Sequence, residues 1–262
     1  MVVLAPVPSS ARRFDGTVSV VTGAGGGIGS AIAERLAAEG SHVIACDVGA
    51  AAAEATVRSI SGRGQQASAL PFDLADPAAC AAAIGTVLAE HGRIDVLVNN
   101  AGINRRGDLL ALTEDDWRLT FAVNLDALFH LCRAVLPPMV EAGRGAIVNV
   151  ASQWGLRPVP GHLAYNVSKA AVVSFTQNLA RDHAPHGVRV NAVAPGEIYT
   201  PMVASGLAAG GRSRADLDAL VPYGRVGEPA EVAALVAFLA SDEAPYLCGS
   251  VVEITGAQAA GA

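Results

Sequence analysis

A tyrosine and a lysine lie four residues apart, Tyr165 and Lys169, in a stretch of helical period that reaches about His183. Residues at i and i+4 share one face of a helix, so both side chains can act on the same substrate. A tyrosine hydroxyl is a poor base at neutral pH because its reference pKa is about 10, and a neighbouring ammonium group favours the phenolate. The pair could therefore transfer a proton, although the same spacing also occurs on ordinary amphipathic helices.

Two further polar residues precede this pair. Ser152 follows the apolar run 146–150, where its hydroxyl can donate to a substrate oxygen on which negative charge develops. Asn124 lies within a predicted long helix, Thr113 to Met139. Taken alone, Ser152 is an ordinary serine at a strand end and Asn124 an ordinary polar residue on a helix face. Their spacing from Tyr165 is what indicates a common site.

A glycine-rich segment follows the first predicted strand and leads directly into a helical stretch, residues 30–39; it reads Thr22-Gly23-Ala24-Gly25-Gly26-Gly27-Ile28-Gly29. Glycines let the backbone bend sharply, approach a pyrophosphate closely and direct the free N–H groups of a helix at the anion. The order strand, glycine turn and helix therefore predicts a dinucleotide phosphate site. An ordinary tight turn between strand and helix is the alternative.

Short β-branched runs alternate with alanine-rich segments of helical period from Thr17 onward, which is typical of a parallel sheet covered by helices on both faces. Helix starts are marked by Asp76, Thr113 and Glu228. We predict an α/β fold with a single Rossmann-like doubly wound parallel sheet. Its strands are expected at Thr17 to Val21, His42 to Cys46, Gln66 to Pro71, Ile94 to Val98, Ala146 to Val150, Arg189 to Val193 and Val251 to Ile254.

The chain of 262 residues is expected to form one large unit, because α/β sheets of this length commonly do so. Residues 1–13 are predicted to be a flexible leader, and residues 14–262 a single dinucleotide-binding catalytic domain. A segment near residues 199–220 is predicted to be a mobile substrate flap, because the stretch from Ser205 to Ser213 is rich in glycine and other small residues.

Composition excludes several classes of partner. With 18 Lys and Arg against 24 Asp and Glu, the net charge is -6, which argues against nucleic acid or an anionic membrane as a partner. Residues 1–11 have no basic region ahead of an apolar stretch, and no apolar run reaches the roughly 18 residues that a membrane span needs. The sequence therefore predicts a cytoplasmic protein.

No metal site is predicted. The cysteines, Cys46, Cys80, Cys132 and Cys248, are scattered without the paired spacing of a zinc or redox site. They are expected to be small buried side chains in a reducing compartment. The histidines His42, His91, His183 and His186 show no metal-ligand spacing either.

The glycine spacing T-G-x-x-x-G-x-G, the later Asn99-Asn100-Ala101-Gly102 and the Tyr165/Lys169 pair resemble the short-chain dehydrogenase/reductase family from about Phe14 to Ser250. The resemblance implies an enzyme that transfers hydride between a nicotinamide dinucleotide and a small secondary alcohol or ketone. It implies that Tyr165 is the general acid and base. Lys169 would assist it and bind the nicotinamide ribose. Ser152 would stabilise the alkoxide, and Asn124 would order a water that links the lysine to solvent.

The same resemblance implies a set of cofactor-binding residues. The glycine segment would bind the pyrophosphate, the residues after the third and fourth predicted strands would contact the adenosine side, and a later segment would hold the nicotinamide carboxamide. Besides Tyr165 and Lys169, the predicted residues are Gly23, Gly25, Gly27, Ile28, Gly29, Asp47, Asp73, Leu74, Asn100, Ala101, Gly102, Pro195, Gly196, Ile198 and Thr200.

Asp47 predicts that the cofactor is NAD. It ends the second predicted strand, where a carboxylate can accept both hydroxyls of the adenosine ribose and would repel the 2′-phosphate of NADP. No basic residue stands within the glycine loop or at Val48 and Gly49. The alternative is that Asp47 is a solvated aspartate at a strand end.

The residues around the substrate are predicted from family geometry, as Asn104, Gln153, Trp154, His162, Glu197, Tyr199 and Met202. Glu197 stands where many relatives carry an apolar residue, which favours a polar or polyhydroxylated substrate. The alternative is that Glu197 faces solvent and pairs with an arginine. Arg105 and Arg106 could bind a carboxylate, but a basic surface loop is the simpler interpretation.

Two other functions stay open at this point. A non-catalytic NAD-sensing protein could keep the glycine loop, and a lyase or epimerase could use NAD transiently. The resemblance also implies that the long helices 113–139 and 163–183 pair subunits, which predicts a homotetramer, with a dimer as the alternative. The C-terminal segment departs from the family pattern, because Thr255-Gly256-Ala257 replaces an aspartate with paired glycines.

Overall fold

The computed structural model describes residues 12–209 and 211–258, and its centre is a sheet of seven parallel strands. Every predicted strand is present, and the boundaries shift by no more than two residues. The strands are β1 (Val18–Thr22), β2 (His42–Asp47), β3 (Ala67–Pro71), β4 (Val96–Asn99), β5 (Gly145–Val150), β6 (Val188–Pro195) and β7 (Val251–Ile254).

The strand order is β3-β2-β1-β4-β5-β6-β7, which confirms the doubly wound topology. The direction of winding reverses between β1 and β4, and a crevice forms at the carboxyl ends of the strands at such a point. In the register of the sheet, Asn99 at the end of β4 lies beside Asn149 on β5. The sheet therefore places the predicted site residues at one edge.

The helices that cover the two faces are α1 (Gly27–Ala38), α2 (Ala50–Ser61), α3 (Pro77–His91), α4 (Glu114–Phe121), α5 (Ala127–Glu141), α6 (Gln153–Leu156), α7 (Leu163–His183), α8 (Pro201–Ala209), α9 (Arg214–Asp218) and α10 (Pro229–Ala240). The predicted starts are confirmed. Asp76 Oδ1 accepts a hydrogen bond from Ala78 N at 2.8 Å, and Thr113 Oγ1 accepts one from Asp116 N at 3.1 Å. Glu228 forms a capping box at α10.

Each face of the sheet carries its own hydrophobic core. On one face α1 and α10 contribute Ile32, Leu36, Val236 and other fully buried side chains. On the other face Leu131 and Met139 of α5 pack against the strands together with residues of α3. Strands covered on both faces are apolar throughout, which explains why their sequences do not alternate.

The predicted long helix from Thr113 to Met139 is interrupted. A π-helical turn, Ala122–Asp126, joins α4 to α5, and Asn124 is buried within it. The helical segment Glu114–Glu141, with the π-helical turn inside it, is long and apolar enough, by length and composition, to cross a membrane, which the sequence did not predict. In this fold Leu131, Val135 and Met139 on this helix are buried against the sheet, as expected for a core helix.

The predicted leader, residues 1–13, and the predicted flap near residues 199–220 compare differently with the structure. Residues 1–11 of the predicted leader lie outside the described residues, and Arg13 belongs to the fold because its guanidinium pairs with the carboxylates of Glu39 and Glu243. The predicted flap near residues 199–220 contains α8 and α9, whose Leu207 and Leu217 pack together with Val221 and Val226. Its mobility stays a prediction.

Arg189 closes the carboxyl end of α10. Its guanidinium donates to the carbonyl oxygens of Leu239 at 2.7 Å and Ala240 at 3.1 Å, and also to those of Ser241 at 2.9 Å and Ala244 at 3.2 Å. A cation at a helix C-terminus is also favoured by the helix dipole. One side chain therefore satisfies the carbonyl groups that the helix leaves without partners.

We expect Arg189→Met to lower the free energy of unfolding by about 3 kcal/mol, because buried carbonyl groups would lose charged donors. Urea denaturation measures the change. The matched control is Arg118→Met, whose side chain is 72% exposed and pairs with Glu114. That control should cost no more than about 0.5 kcal/mol, so equal losses in the two variants would contradict the capping role.

Candidate active site

A cleft of about 760 Å³ opens at the carboxyl ends of the strands. Every residue predicted to bind the cofactor lines it, and so do the predicted catalytic residues Ser152, Tyr165 and Lys169. Among the predicted substrate residues, Asn104, Gln153, Trp154 and Glu197 also line it. The fold therefore brings together residues that are more than a hundred positions apart in the chain, while their individual roles stay predictions.

The glycine loop between β1 and α1 forms one end of the cleft. A Cβ atom at Gly29 would overlap the carbonyl oxygen of Gly23, and Gly27 has a φ of 56°, which L side chains rarely adopt. The loop leads directly into the N-terminus of α1, which carries a partial positive charge. Bare backbone and a helix N-terminus fit the pyrophosphate of a dinucleotide.

Asp47 lies beside this loop at the end of β2. Its Oδ2 accepts a hydrogen bond from Gly25 N at 2.9 Å, and its Oδ1 accepts one from Gly49 N at 2.9 Å. Asp73 and Leu74, after β3, line the same end of the cleft. Lys169 is the one Lys or Arg that lines the cleft within the described part of the chain, so the Asp47 end has no cation for a phosphate on the ribose.

The segment Asn99–Gly102 joins the glycine loop to the rest of the sheet. Asn100 Nδ2 donates to Thr22 O at 2.9 Å, which ties the end of β4 to the end of β1. Asn99 is buried on the far side of this turn, where its Nδ2 donates to Asn149 Oδ1 at 2.8 Å. The first asparagine thus links β4 to β5, and the second faces the cleft.

Tyr165 and Lys169 lie one turn apart on α7, as predicted. The ammonium group of Lys169 is 5.8 Å from the centre of the Tyr165 ring and donates to Val150 O at 2.7 Å. Ser152, two residues beyond Val150, caps α6 by accepting a hydrogen bond from Trp154 N at 3.1 Å. The end of β5 therefore holds both the serine and the lysine against the tyrosine.

The electrostatics of this group follow from its burial. Burial raises the pKa of Tyr165, a hydrogen bond with Ser152 lowers it, and the negative charge of Glu197 raises it, so that the net shift is upward. Burial lowers the pKa of Lys169 to about 8. The phenolate thus depends on positive charge brought near it, because the protein interior by itself favours the neutral phenol.

Asn124 stands behind the cleft and does not line it. Its Nδ2 donates to Ile103 O at 2.9 Å and its Oδ1 accepts from Ile103 N at 2.8 Å, so it clamps the loop that follows β4. The same Nδ2 donates to Ser168 Oγ at 3.0 Å. The π-helical turn presents Asn124 to both partners. Its part in ordering a water stays a prediction.

The predicted substrate residues divide into three groups. Trp154 packs edge-on against the Tyr165 ring at 5.9 Å, and Gln153 and Glu197 line the cleft beside it. His162 does not line the cleft; it contacts the Trp154 ring at 4.7 Å and shares a hydrogen bond of 3.0 Å with Asn104 Oδ1.

Tyr199 and Met202 make up the third group. Tyr199 does not line the cleft but packs against Val203 and the side chains of α8 and α9, with Arg214 4.4 Å above its ring. Its ring fills the small core under the predicted flap, and the substrate contact of Tyr199 stays a prediction. Met202 lies on α8, and its side chain is outside the described residues.

Two polar residues that form hydrogen bonds with residues of the site were not predicted. Ser168 donates to Tyr165 O at 2.8 Å and accepts from Asn124, and its place between Tyr165 and Lys169 was the available signal. Gln258 accepts a hydrogen bond from Gln153 Nε2 at 3.0 Å. No local pattern indicates Gln258, because the contact joins segments 105 residues apart.

The cysteines take no part in the cleft. Burial raises the pKa of the Cys80 thiol to about 11 and that of the Cys132 thiol to about 12, so both stay protonated and unreactive. Within the described residues no group of three or more His, Cys, Asp or Glu side chains could hold a metal ion.

Comparisons with known proteins find relatives along most of the chain. A family model described as enoyl-(acyl carrier protein) reductase matches residues 23–256. The chain is 42% identical over 245 residues to D-threitol dehydrogenase of Mycolicibacterium smegmatis, covering 93% of each protein. It is 39% identical over 245 residues to the 3-oxoacyl-(acyl-carrier-protein) reductase of Escherichia coli, covering 93% of this chain and 98% of the relative.

A solved structure also matches this chain. The crystal structure of a proposed NAD(P)-dependent gluconate 5-dehydrogenase from Beutenbergia cavernae, with bound NADP at low occupancy, superposes with a TM-score of 0.87. It is 39% identical and matches over 94% of this chain and 98% of that chain. The relatives thus share fold and redox chemistry but differ in the substrates that their names state.

We expect the pKa of Tyr165 to move in opposite directions in two variants. Glu197→Gln should lower it, because a negative charge that disfavours the phenolate is removed, and Ser152→Ala should raise it, because a hydrogen bond that favours the phenolate is lost. The shift is measured by titrating the phenolate absorbance in the near ultraviolet. The same titration of Tyr165→Phe is subtracted as the background of the other tyrosines. Movement of both variants in the same direction would contradict this description of the site.

Proposed function

Because the chain belongs to the short-chain dehydrogenase/reductase family, we propose that Tyr165 transfers the proton in a hydride exchange between NAD and a small secondary alcohol or ketone. Oxidoreductase activity on alcohol or ketone groups follows from the family. The observation that supports the finer proposal most directly is the position of Tyr165, Ser152 and Lys169 in the same cleft as the glycine loop.

In the direction of oxidation, the Tyr165 phenolate takes the proton of the substrate hydroxyl. The Ser152 hydroxyl donates a hydrogen bond to the substrate oxygen as charge develops on it. Lys169, anchored on Val150 O, holds its ammonium group near the tyrosine ring and favours the phenolate. NAD, when bound, supplies the nicotinamide ring that accepts the hydride. In reduction, Tyr165 returns the proton to the same oxygen.

The preference for NAD over NADP rests on Asp47. Its carboxylate borders the cleft beside the glycine loop, where it can accept from ribose hydroxyls and would repel a 2′-phosphate. Val48 and Gly49 follow it without a basic side chain. The structural relative with NADP bound is named NAD(P)-dependent, so the choice between the cofactors has to be measured on this chain.

The substrate is proposed to be polar or polyhydroxylated. Glu197 and Gln153 line the cleft, and Asn104 lies at its rim with His162. The named relatives include an enzyme for the polyol threitol, which supports a substrate of this kind.

We also propose that the protein is a cytoplasmic homotetramer. Phe129 on α5 is 46% exposed and Val167 on α7 is 41% exposed, on the two long helices that were predicted to pair subunits. Apolar side chains exposed on neighbouring helices are typical of subunit interfaces. Sedimentation equilibrium distinguishes the tetramer from the dimer.

Tyr165→Phe should reduce kcat/KM for alcohol oxidation by about a thousandfold, because the ring remains while the proton-transferring oxygen is lost. NAD binding, measured by calorimetry, should change by less than about threefold, which corresponds to under 1 kcal/mol. The matched control is Tyr223→Phe, an exposed tyrosine outside the cleft. Accumulation of NADH is the measured product, and a substantial residual rate would show that the base lies elsewhere.

Asp47→Ala should weaken NAD binding by about ten- to a hundredfold, because hydrogen bonds from ribose hydroxyls to a carboxylate are lost. Affinity for NADP should stay the same or rise. Asp15→Ala, an exposed aspartate outside the cleft, is the control. Equal kcat/KM with NAD and NADP in the unmodified protein would refute the role assigned to Asp47.

A further inference from the structure

One wall of the cleft carries two hydrogen-bond acceptors that lack donors. Gln153, at the start of α6, is 2% exposed, and its Oε1 has no hydrogen-bond partner within the described chain. Glu197, after β6, lines the same cleft. Of the described groups, the charge of Arg212 is the one that stabilises its carboxylate, and no hydrogen bond does so.

The buried Gln153 acceptor is unfavourable unless a ligand donates a hydrogen bond to it. A buried acceptor without a donor loses its hydration and regains nothing, and native proteins keep few of them. Burial raises the pKa of Glu197, in agreement with a carboxylate held away from water. Donors from a bound molecule would satisfy both groups at once.

Gly196 packs closely beside the Gln153 amide. A Cβ atom at Gly196 would lie 3.0 Å from Thr255 Cα and 3.3 Å from Gln153 Oε1, so a side chain there would crowd the acceptor. Gly196 also stands directly before Glu197 in the chain. The two acceptors therefore flank one small space beside Tyr165, whose pKa responds to the charge of Glu197.

The C-terminal segment sets the orientation of the Gln153 amide. Gln153 Nε2 donates to Gln258 Oε1 at 3.0 Å, and Gln258 N donates to Thr255 O at 3.1 Å in the turn after β7. The amide nitrogen thereby has a partner, and the acceptor oxygen stays buried without one among the described residues. This is the segment in which the sequence departs from the family pattern.

We propose that Glu197 and Gln153 bind two hydroxyl groups of an uncharged polyol or sugar, next to the carbon whose hydroxyl group meets Tyr165. Gln258 is a positioning residue that acts through Gln153. The inference rests on the proposed function, since it takes Tyr165 to be the proton-transferring group.

The charges in the cleft separate this substrate class from two others. A carboxylate at this wall would be repelled by Glu197, which disfavours sugar acids and other hydroxy acids. An ammonium group would be repelled by Lys169 in the same cleft, a residue that is 4% exposed, and this repulsion offsets its attraction to Glu197. Neutral hydroxyl groups satisfy both acceptors and add no charge.

A panel of alcohols with the same reacting group tests the proposal. We would compare kcat/KM with NAD for 2-butanol, 2,3-butanediol, 3-hydroxybutyrate and 3-amino-2-butanol, with threitol as a longer polyol. The diol should exceed 2-butanol by about tenfold or more, the factor that one hydrogen bond to a charged acceptor provides. The hydroxy acid and the amino alcohol should both fall below the diol.

Variants of the wall identify the groups responsible. Glu197→Leu and Gln153→Leu should each reduce the ratio of kcat/KM for threitol over 2-butanol by about tenfold, because threitol has a hydroxyl group for each acceptor. Glu197→Gln keeps an acceptor oxygen and removes the charge, so it should retain most of that ratio and raise kcat/KM for 3-hydroxybutyrate. Glu114→Leu, with a glutamate that is 84% exposed on α4, is the matched control and should leave the ratio unchanged.

A separate measurement tests the positioning role of Gln258. Gln258→Ala should raise KM for threitol by about fivefold with little change in kcat, because the Gln153 amide becomes free to rotate. Gln258→Glu should restore the lower KM, since its carboxylate can still accept from Gln153 Nε2. If Gln258 had a purely structural role, Gln258→Ala would lower kcat and raise KM for all the alcohols alike. Gln258→Glu would then not reverse these changes.

The outcomes separate this inference from the proposed function. If 2-butanol is oxidised as efficiently as the diol, if either charged alcohol is preferred, or if Glu197→Leu keeps the ratio, the inference is overturned while the proposed function stands. If none of the alcohols is oxidised and none of the matching ketones is reduced with NAD or NADP, the proposed function is overturned as well.

Discussion

The buried ammonium group of Lys169 is the constraint on which the rest of the site depends. It is 4% exposed, and a charge removed from water costs several kcal/mol unless it finds partners. Its partner is the carbonyl of Val150 at the end of β5, at 2.7 Å. Because Tyr165 lies one turn earlier on α7 and Ser152 two residues after Val150, this single contact decides where tyrosine and serine meet. The strong downward shift of the lysine pKa to about 8 reflects the same burial.

A chain of polar side chains holds the strand ends and α7 in place around that contact. Asn99 donates to Asn149, and Asn149 Nδ2 donates to Thr176 Oγ1 at 2.9 Å, so β4, β5 and α7 are joined inside the core. A second connection runs from Ile103 through Asn124 to Ser168. A buried hydrogen bond is costly to lose, so a connected chain of this kind favours one arrangement of its elements.

Local patterns were sufficient for most of the fold. The strands were predicted within two residues because apolar runs bounded by turns mark buried parallel strands, and Asp76 and Thr113 mark helix starts by their capping chemistry. The π-helical turn at Asn124 was not predictable, because it results from tertiary hydrogen bonds to Ile103 and Ser168 and not from the composition of the helix. The side-chain direction of Tyr199 was not predictable for a similar reason, because it depends on the core under α8 and α9.

For the same reason, the glycine loop at one end of the cleft is easier to identify from a sequence than the substrate wall at the other end. The glycine loop must approach a pyrophosphate through its backbone, so its residue types are restricted and its pattern is local. The substrate wall is assembled from Gln153, Glu197 and Gln258, and the hydrogen bond between the two glutamines spans 105 residues. Each of these side chains could change without disturbing Lys169 or its contact with Val150. Proton transfer and cofactor binding can therefore stay constant while the substrate wall varies, as expected for relatives that act on different alcohols and ketones.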